Sequence, residues 1–363
     1  MSSPVVKFNL KDNPEFFKVL RKRVSQYFKD NNIDQHANLK MKIKTTFMIC
    51  LYFVPWIVLL ANVVTGFLPN FALWLLMGLG MSGIGLSIMH DANHGCYSRN
   101  KKVNNMLGFL VNFLGAYHVN WKIQHNILHH SFTNVHGYDE DISNPALRFT
   151  PDQEIKSLNK FQAFYAPFLY SIMTIYWVFG KDFIQLKRYG KKDLLKTQNL
   201  SNKQAWREVI FNKIWYLILF LVIPMLVVEL PWWQSVLGFV SMHLLCGLTL
   251  ALIFQPAHVI EDTEFFVPDE NLSVENNWAI HQMKTTSNFA NKSTWFSWFI
   301  GGLNFQIEHH LFPNICHIHY KGISKIVKET ALEYGVPYYE HKTFYSAVKS
   351  HFVTLHKLGR GTF

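Results

Sequence analysis

Charge is scarce in this chain. Only 16% of its 363 residues are Asp, Glu, Lys or Arg, while 49% are hydrophobic and 16% aromatic. A soluble domain carries about 25% charged residues, so the shortfall points to a bilayer. Cysteine is scarcer still. Cys50, Cys96, Cys246 and Cys316 are scattered without CxxC spacing, which supports neither a disulfide framework nor a zinc knuckle, and they receive no role. The first 45 residues lack an early apolar run and carry ten Lys or Arg, so no signal peptide is expected. Internal repeats and low-complexity tracts are also missing. The charge that remains is lopsided, with 35 Lys and Arg against 24 Asp and Glu and a net +11. Such a balance suits a nucleic-acid partner, unless its placement has another cause.

Placement supplies that cause. Thr46 to Gly66 and Phe71 to Met89 are uncharged, each near the 20 residues that cross a hydrocarbon core, with Phe67–Asn70 between them. A second pair, Ile214 to Leu230 and Trp233 to Phe254, is joined at Pro231-Trp232. Ten Lys and Arg precede Thr46, sixteen lie between His90 and Lys213, and nine follow His258; the four spans and their short turns hold none. By the positive-inside rule the N-terminus, the middle segment and the C-terminus share the cytoplasmic side. The expected fold is all-α and integral to the membrane: four transmembrane helices (about 46–66, 71–89, 214–230 and 233–254) as two hairpins under a cytoplasmic helical cap. The cytoplasmic N-terminal segment is 1–45, the membrane domain 46–330, and the cytoplasmic C-terminal tail 331–363. Two weaker apolar stretches, 106–119 and 161–180, are expected to lie at the interface or on the cap, with a fifth span as the alternative for the second. Topology explains the basic excess, and no nucleic-acid partner is expected.

Histidine is what this chain has in abundance at particular places. His90-Asp91-Ala92-Asn93-His94, His125-Asn126-Ile127-Leu128-His129-His130 and Gln306-Ile307-Glu308-His309-His310 form three clusters, and His258 ends the fourth apolar run. On a helix, residues three and four apart share a face, so each cluster delivers two or three imidazoles to one point. Zinc usually takes four ligands, and a mononuclear non-haem iron takes two His and one carboxylate. Eight imidazoles therefore suggest two metal ions, of iron, copper, zinc or nickel type by donor chemistry. Gln306 reads as a weak or water-mediated ligand, or as a partner of one. Metal-bound imidazoles usually donate their other N–H to a carboxylate or carbonyl, and Asp91, Asp139, Asp141, Glu261, Asp262 and Glu308 are near enough in sequence to serve. His118, His136, His281, His317 and His319 stand singly or loosely paired and read as surface or supporting residues. Lys187, Arg188, Lys191 and Lys192 are candidates for an anionic headgroup, although ordinary positive-inside charge accounts for them as well.

HDANH, HNILHH and QIEHH resemble, in order and in placement around two hairpins, the three histidine boxes of the membrane fatty acid desaturases. The resemblance covers roughly residues 45–330. The glutamine opening the third box and the flanking GGLNFQIEHHLFPNICHIHY are similar to the front-end subgroup, which desaturates between an existing double bond and the carboxyl end. WAIHQMKTTSNFA resembles bacterial acyl-CoA or linoleoyl-CoA desaturase-like members. The resemblance implies two iron ions with O2 as co-substrate. Their ligands would be His90, His94, His125, His129, His130, His258, His309 and His310, with Gln306 where other members have histidine. It implies no catalytic residue beyond the metal ligands. The substrate would be a fatty acyl-CoA or acyl-lipid, reached through an apolar tunnel at the interface. Many front-end members carry a fused haem domain with an HPGG motif. None occurs here, so a separate electron donor of ferredoxin, flavodoxin or cytochrome b5 type is expected, and the location points to the bacterial inner membrane. Two other readings remain: a di-iron lipid hydroxylase, and a histidine-cluster metal transporter. Transporters place ionisable ligands along a path within the spans, whereas the only acidic residue in these spans is Glu229, at an edge.

Overall fold

The computed structural model describes residues 6–363. Helices dominate: α1 (Pro14–Asp30), α2 (Leu39–Leu60), α3 (Phe67–Asn93), α4 (Lys101–Gly108), α5 (118–129), α6 (Asn159–Ser171), α7 (Met173–Lys191), α8 (Asn202–Val227), α9 (Trp232–His258), α10 (Trp278–Lys284), α11 (Thr294–Phe299), α12 (Gln306–Leu311), α13 (Tyr320–Glu333) and α14 (Phe344–Arg360). Two short parallel pairings complete the chain, β1 (Lys7–Phe8) with β2 (Ser273–Val274) and β3 (Ser287–Phe289) with β4 (Tyr339–His341).

Four helices, α2, α3, α8 and α9, are long and apolar enough to cross a membrane. Their ends differ from the hydropathy limits because side-chain caps, not hydropathy, set where a helix starts. Asn38 accepts from the Met41 N–H (3.2 Å), so α2 begins seven residues before Thr46 and includes Lys40, Lys42 and Lys44. Ser201 accepts from the Gln204 N–H (3.2 Å), so α8 starts well ahead of Ile214. The expected turn Phe67–Asn70 forms the first turn of α3, where Pro69 is tolerated because the first N–H groups lack intrahelical partners. α3 also runs past Met89 to Asn93 and carries the first histidine cluster on its end.

α3 is the central helix, packed on both α2 and α9. Small residues allow the close approach, as expected where lipid offers no hydrophobic drive for helix association. A Cβ on Gly80 would lie 2.5 Å from the Tyr52 nitrogen, and one on Gly78 would lie 2.9 Å from the Met242 carbonyl oxygen.

The 161–180 stretch departs from expectation. α6 and α7 form a pair bent by 61°, and the bend is inserted beside α9 rather than laid on the cap. Thr174 donates to the His243 carbonyl (2.9 Å), and Gly247 leaves room for the Tyr170 and Ser171 carbonyls. His243 lies fifteen residues before His258, about 22 Å along an α-helix. Both ends of the pair nevertheless return to the cap. The Asn159 carbonyl abuts Gly359 of α14, and Gln185 donates to Gln124 of α5 (2.6 Å). The pair dips in and comes back, adding no fifth crossing.

Both termini build the cap. Phe16, Leu20 and Val24 of α1 pack with Ile323, Val327 and Ala331 of α13. α14 lies against the cap end of α9, where the His351 ring bonds the Val259 carbonyl (2.7 Å).

Candidate metal centre

Two of the chain's several π-helical segments lead into the first two histidine clusters. The first, Ile84–Ile88, lies within α3 just ahead of His90. The second, Lys122–His129, contains the second cluster up to His129 and is capped by His130, whose N–H bonds back to the His125 carbonyl (3.0 Å). Such segments recur at functional sites. Here the wider turn lets His129 and His130 both lie beside His125, which an ideal α-helix would not do for the adjacent pair.

The three clusters and His258 converge at the cap ends of α3 and α9. The ligand atoms of His90, His94, His125 and His309 lie within 4.8 Å of one another, as do those of His129, His258 and His310. His130 forms a further group with His309 and His310, between the two. The Nε2 atoms of His90 and His125 are 3.1 Å apart, and those of His130 and His125 are 3.3 Å apart. The surroundings keep these rings neutral. Burial, and then the proximity of the other imidazoles, push His94, His130, His309 and His310 well below the usual histidine range. His129 is the exception. Burial lowers it, but the Asp139 and Asp141 carboxylates outweigh that and raise it to about 9.

Hydrogen bonding tests whether a metal fits. His94 Nε2, His258 Nε2, His309 Nε2, His310 Nε2 and His130 Nδ1 are buried without any partner, as is Gln306 Nε2. Each such orphan costs about 1–3 kcal/mol, and native proteins rarely tolerate several together. Five in one place, all on borderline-soft nitrogen donors, fit metal ions.

The outward nitrogens are tied down, as ligating imidazoles require. His129 Nδ1 bonds both oxygens of Asp139 (3.1 and 3.0 Å), and Asp141 lies 3.5 Å from both His125 Nδ1 and His129 Nδ1. Burial raises Asp141, yet His129 and His125, with Lys181 further off, bring it below the usual carboxylate range. His258 Nδ1 bonds the Thr285 carbonyl (3.1 Å), His309 Nδ1 the Tyr320 hydroxyl (3.1 Å), and His310 Nδ1 the Gln282 side-chain oxygen (2.8 Å). Gln282 in turn donates to the His130 carbonyl (3.2 Å). Sequence proximity did not reveal Thr285, Tyr320 or Gln282. WAIHQMKTTSNFA contains two of them, but nothing local marks them as histidine partners.

Four of the six acidic candidates take other partners. Asp91 bonds His317 Nδ1 (2.8 Å) and Cys316 Sγ (3.0 Å) instead of a clustered ring, and His317 Nε2 meets Lys44 Nζ (2.8 Å). This buried knot ties α2, α3 and the segment after α12 together. Glu308 is bonded by Asn288 (2.8 Å) and the Tyr338 hydroxyl (2.9 Å), and burial raises its pKa to about 7. Glu261 pairs with Lys357 (2.7 Å) and Asp262 with His341 (3.2 Å), both away from the rings. The basic candidates lie on α7 and just past its end. Arg188 is held by Glu140 (2.7 Å), and Lys187, Lys191 and Lys192 are exposed. Of the single histidines, His281 bonds the Thr133 carbonyl (2.7 Å) and His118 meets Asn112 (3.1 Å), both supporting roles.

Residues 65–342 match the sequence pattern of the family described as fatty acid desaturase. The chain is 34% identical over 359 residues to an sn-1 linoleoyl-lipid 6-desaturase of Synechocystis sp., covering 96% of each. It is 33% identical over 370 residues to the protein of the same name from Arthrospira platensis, covering 99% of this chain and 96% of that one. It is 34% identical over 355 residues to an acyl-lipid (8-3)-desaturase of Physcomitrium patens, covering 96% of this chain and 72% of the relative. Such coverage at such identity, reached by a chain with this concentration of imidazoles at the ends of four apolar helices, places it in the fatty acid desaturase family, as an integral membrane oxidoreductase.

Proposed function

We propose that this desaturase acts on the acyl chain of a membrane lipid. It would use O2 and two iron ions to place a double bond between an existing one and the carboxyl end. The observation that carries the reading is the convergence of eight imidazoles, several with unpartnered nitrogens, at one end of the apolar helices. The acyl-lipid and front-end parts rest on relatives named for acyl-lipid 6- and (8-3)-desaturation.

His90, His94, His125 and His309 would hold one ion, and His129, His258 and His310 the other, with His130 between them and Gln306 on the same helix face as His309 and His310. Bound iron supplies the reduction of O2 and the oxidising power to remove hydrogen from an unactivated methylene. The chain supplies position. The imidazoles keep their donor nitrogens aimed inward, and Asp139, Thr285, Tyr320 and Gln282 stop the rings from turning. Trp121 stands against His125 (4.6 Å between ring centroids) and His90 (5.6 Å), and Phe254 is 6.1 Å from both. Both aromatics are partly exposed and offer an apolar wall along which an acyl chain would lie. Electrons would come from a carrier of ferredoxin, flavodoxin or cytochrome b5 type outside these 363 residues. The basic segments at both ends of the chain and between the hairpins support a cytoplasmic cap with cytoplasmic termini, in a bacterial inner membrane.

Expression in a desaturase-deficient host, beside the His309→Ala, His310→Ala variant, tests this. A new double bond near the carboxyl end of lipid-esterified chains, absent with the variant, is expected. A new hydroxyl instead, or a product on acyl-CoA before any appears in lipid, would overturn the corresponding part.

A further inference from the structure

The short helix α11 reads Thr-Trp-Phe-Ser-Trp-Phe, and none of its six residues is buried. Its polar side is turned towards the protein. Ser297 accepts from Asn304 (2.9 Å) and donates to the Ser293 carbonyl (2.8 Å). Trp295 and Phe299, one turn apart, share the opposite side and stack on each other with 6.1 Å between ring centroids. Trp295 is 74% exposed. An apolar face left bare in this way marks a surface that something else covers.

The neighbours of α11 fix its depth. Trp298 packs on Phe47 of α2 (5.5 Å). Gly301, just past the helix, has a φ of +68° and abuts the Leu86 carbonyl and Ser87 of α3, a conformation and an approach that suit only glycine. Phe47 is the second residue of the uncharged run Thr46 to Gly66, and Leu86 and Ser87 lie near the end of Phe71 to Met89. Both contacts are therefore at the edge of the apolar layer nearest the metal centre, the level at which tryptophan gathers in membrane proteins. Phe47 is itself exposed, so the aromatic face of α11 continues the lipid-facing side of α2. Cations mark the start of the helix. Lys321 donates to the Thr294 hydroxyl (3.3 Å), and Lys292 lies two residues before Thr294. Further along α13, Lys325 and Lys328 pair with Glu329 and Glu340. Lys292 and Lys321 are exposed and form no ion pair among the described residues.

We propose that α11 is an interfacial anchor and an anionic phospholipid site. Trp295 and Phe299 enter the acyl region of the bilayer beside α2, while Lys292 and Lys321 hold the headgroup phosphate with their free donors. The anchor bears on the metal centre. Only residues 300–305, all buried, separate α11 from Gln306 and the third histidine cluster. Gly301 rests on the π-helical segment that precedes His90, so the same contact sets the third cluster against the first.

The test uses the full-length protein in nanodiscs, with Cys50→Ser removing the one exposed cysteine. An environment-sensitive fluorophore is attached at Trp295→Cys, and in separate samples at Ile57→Cys and Lys18→Cys, both exposed positions, one within the α2 span and one on α1 of the cap. Spin-labelled lipid should quench position 295 and aqueous iodide should not, as at 57 and opposite to 18. Spin-labelled phosphatidylglycerol, as a minority lipid, should be enriched at position 295 over spin-labelled phosphatidylcholine by about fivefold per lysine. Lys292→Gln with Lys321→Gln should abolish that enrichment while quenching by bulk lipid persists, which also shows that the variant is folded. Free quenching of position 295 by iodide places α11 in water and overturns the anchor. Protection from both quenchers overturns it too, because protein then covers the aromatic face. Lipid quenching without a phosphatidylglycerol preference, or with one that survives the double substitution, overturns the headgroup site.

Discussion

Asp139→Asn is the sharpest test of the metal centre. The Asp139 side chain is 0% exposed and that of His129 3%. Its carboxylate bonds His129 Nδ1 and also accepts the backbone N–H groups of Asn134 (2.9 Å) and Asp141 (2.9 Å). The negative charge keeps the proton on Nδ1, which leaves Nε2 as the donor towards His258 and His310. Asparagine keeps the shape but loses the charge, and its NH2 cannot accept from His129 or from the backbone. Losing a charge-assisted bond costs about 1.5–3 kcal/mol, and losing the outer partner of a metal-bound histidine typically costs about 10–100-fold in affinity. That range corresponds to about 1.4–2.7 kcal/mol. The assay is metal retained per chain after dialysis against graded chelator. One of two ions should leave at about 10–100-fold lower chelator strength than in wild type, and the other should be held as before. Glu261→Gln and Asp262→Asn, equally near in sequence but bonded to Lys357 and His341, should change nothing. Retention of both ions at wild-type strength by Asp139→Asn, or equal loss from all three variants, refutes the reasoning.

Two further outcomes concern the fold that holds the centre. Lys213 is buried against Asp182 and also donates to the Trp177 carbonyl (2.9 Å). Lys213→Met leaves a buried carboxylate unpaired and should destabilise by about 3–5 kcal/mol, whereas Lys213→Met with Asp182→Leu should recover much of this in thermal unfolding in detergent; equal losses in the single and double variants would contradict the charge argument. Gly247→Val puts a side chain into the Ser171 and Tyr170 carbonyls and should cost roughly 1–3 kcal/mol by overpacking, with accelerated amide exchange confined to α6 and α7; exchange unchanged there would mean the bent pair is held by other contacts.

Some of this protein could be read from its residues alone, because the relevant physics is local or additive. Apolar runs near 20 residues and a charge distribution that leaves them bare are properties of the chain in order, so four membrane helices paired as hairpins follow from hydropathy and charge. Histidines four apart on one helix face follow from helix geometry, and Gln306 with His309 and His310 on α12 shows the expected spacing. Even the family was recognisable in three short strings. What only the tertiary structure decided depends on contacts between segments distant in sequence. Asp139 reaches a ring and Glu261 does not, although both are close to a clustered histidine in sequence. Thr285 contributes a backbone carbonyl, which no side-chain pattern can advertise. The bent pair α6–α7 inserts because Gly247 on α9 has no side chain to oppose it, a fact invisible from the composition of 161–180. A helix can display two imidazoles by itself, but their grouping with six others, and the choice of which carboxylate steadies which ring, is made by the packing of α3, α5, α9 and α12 against one another.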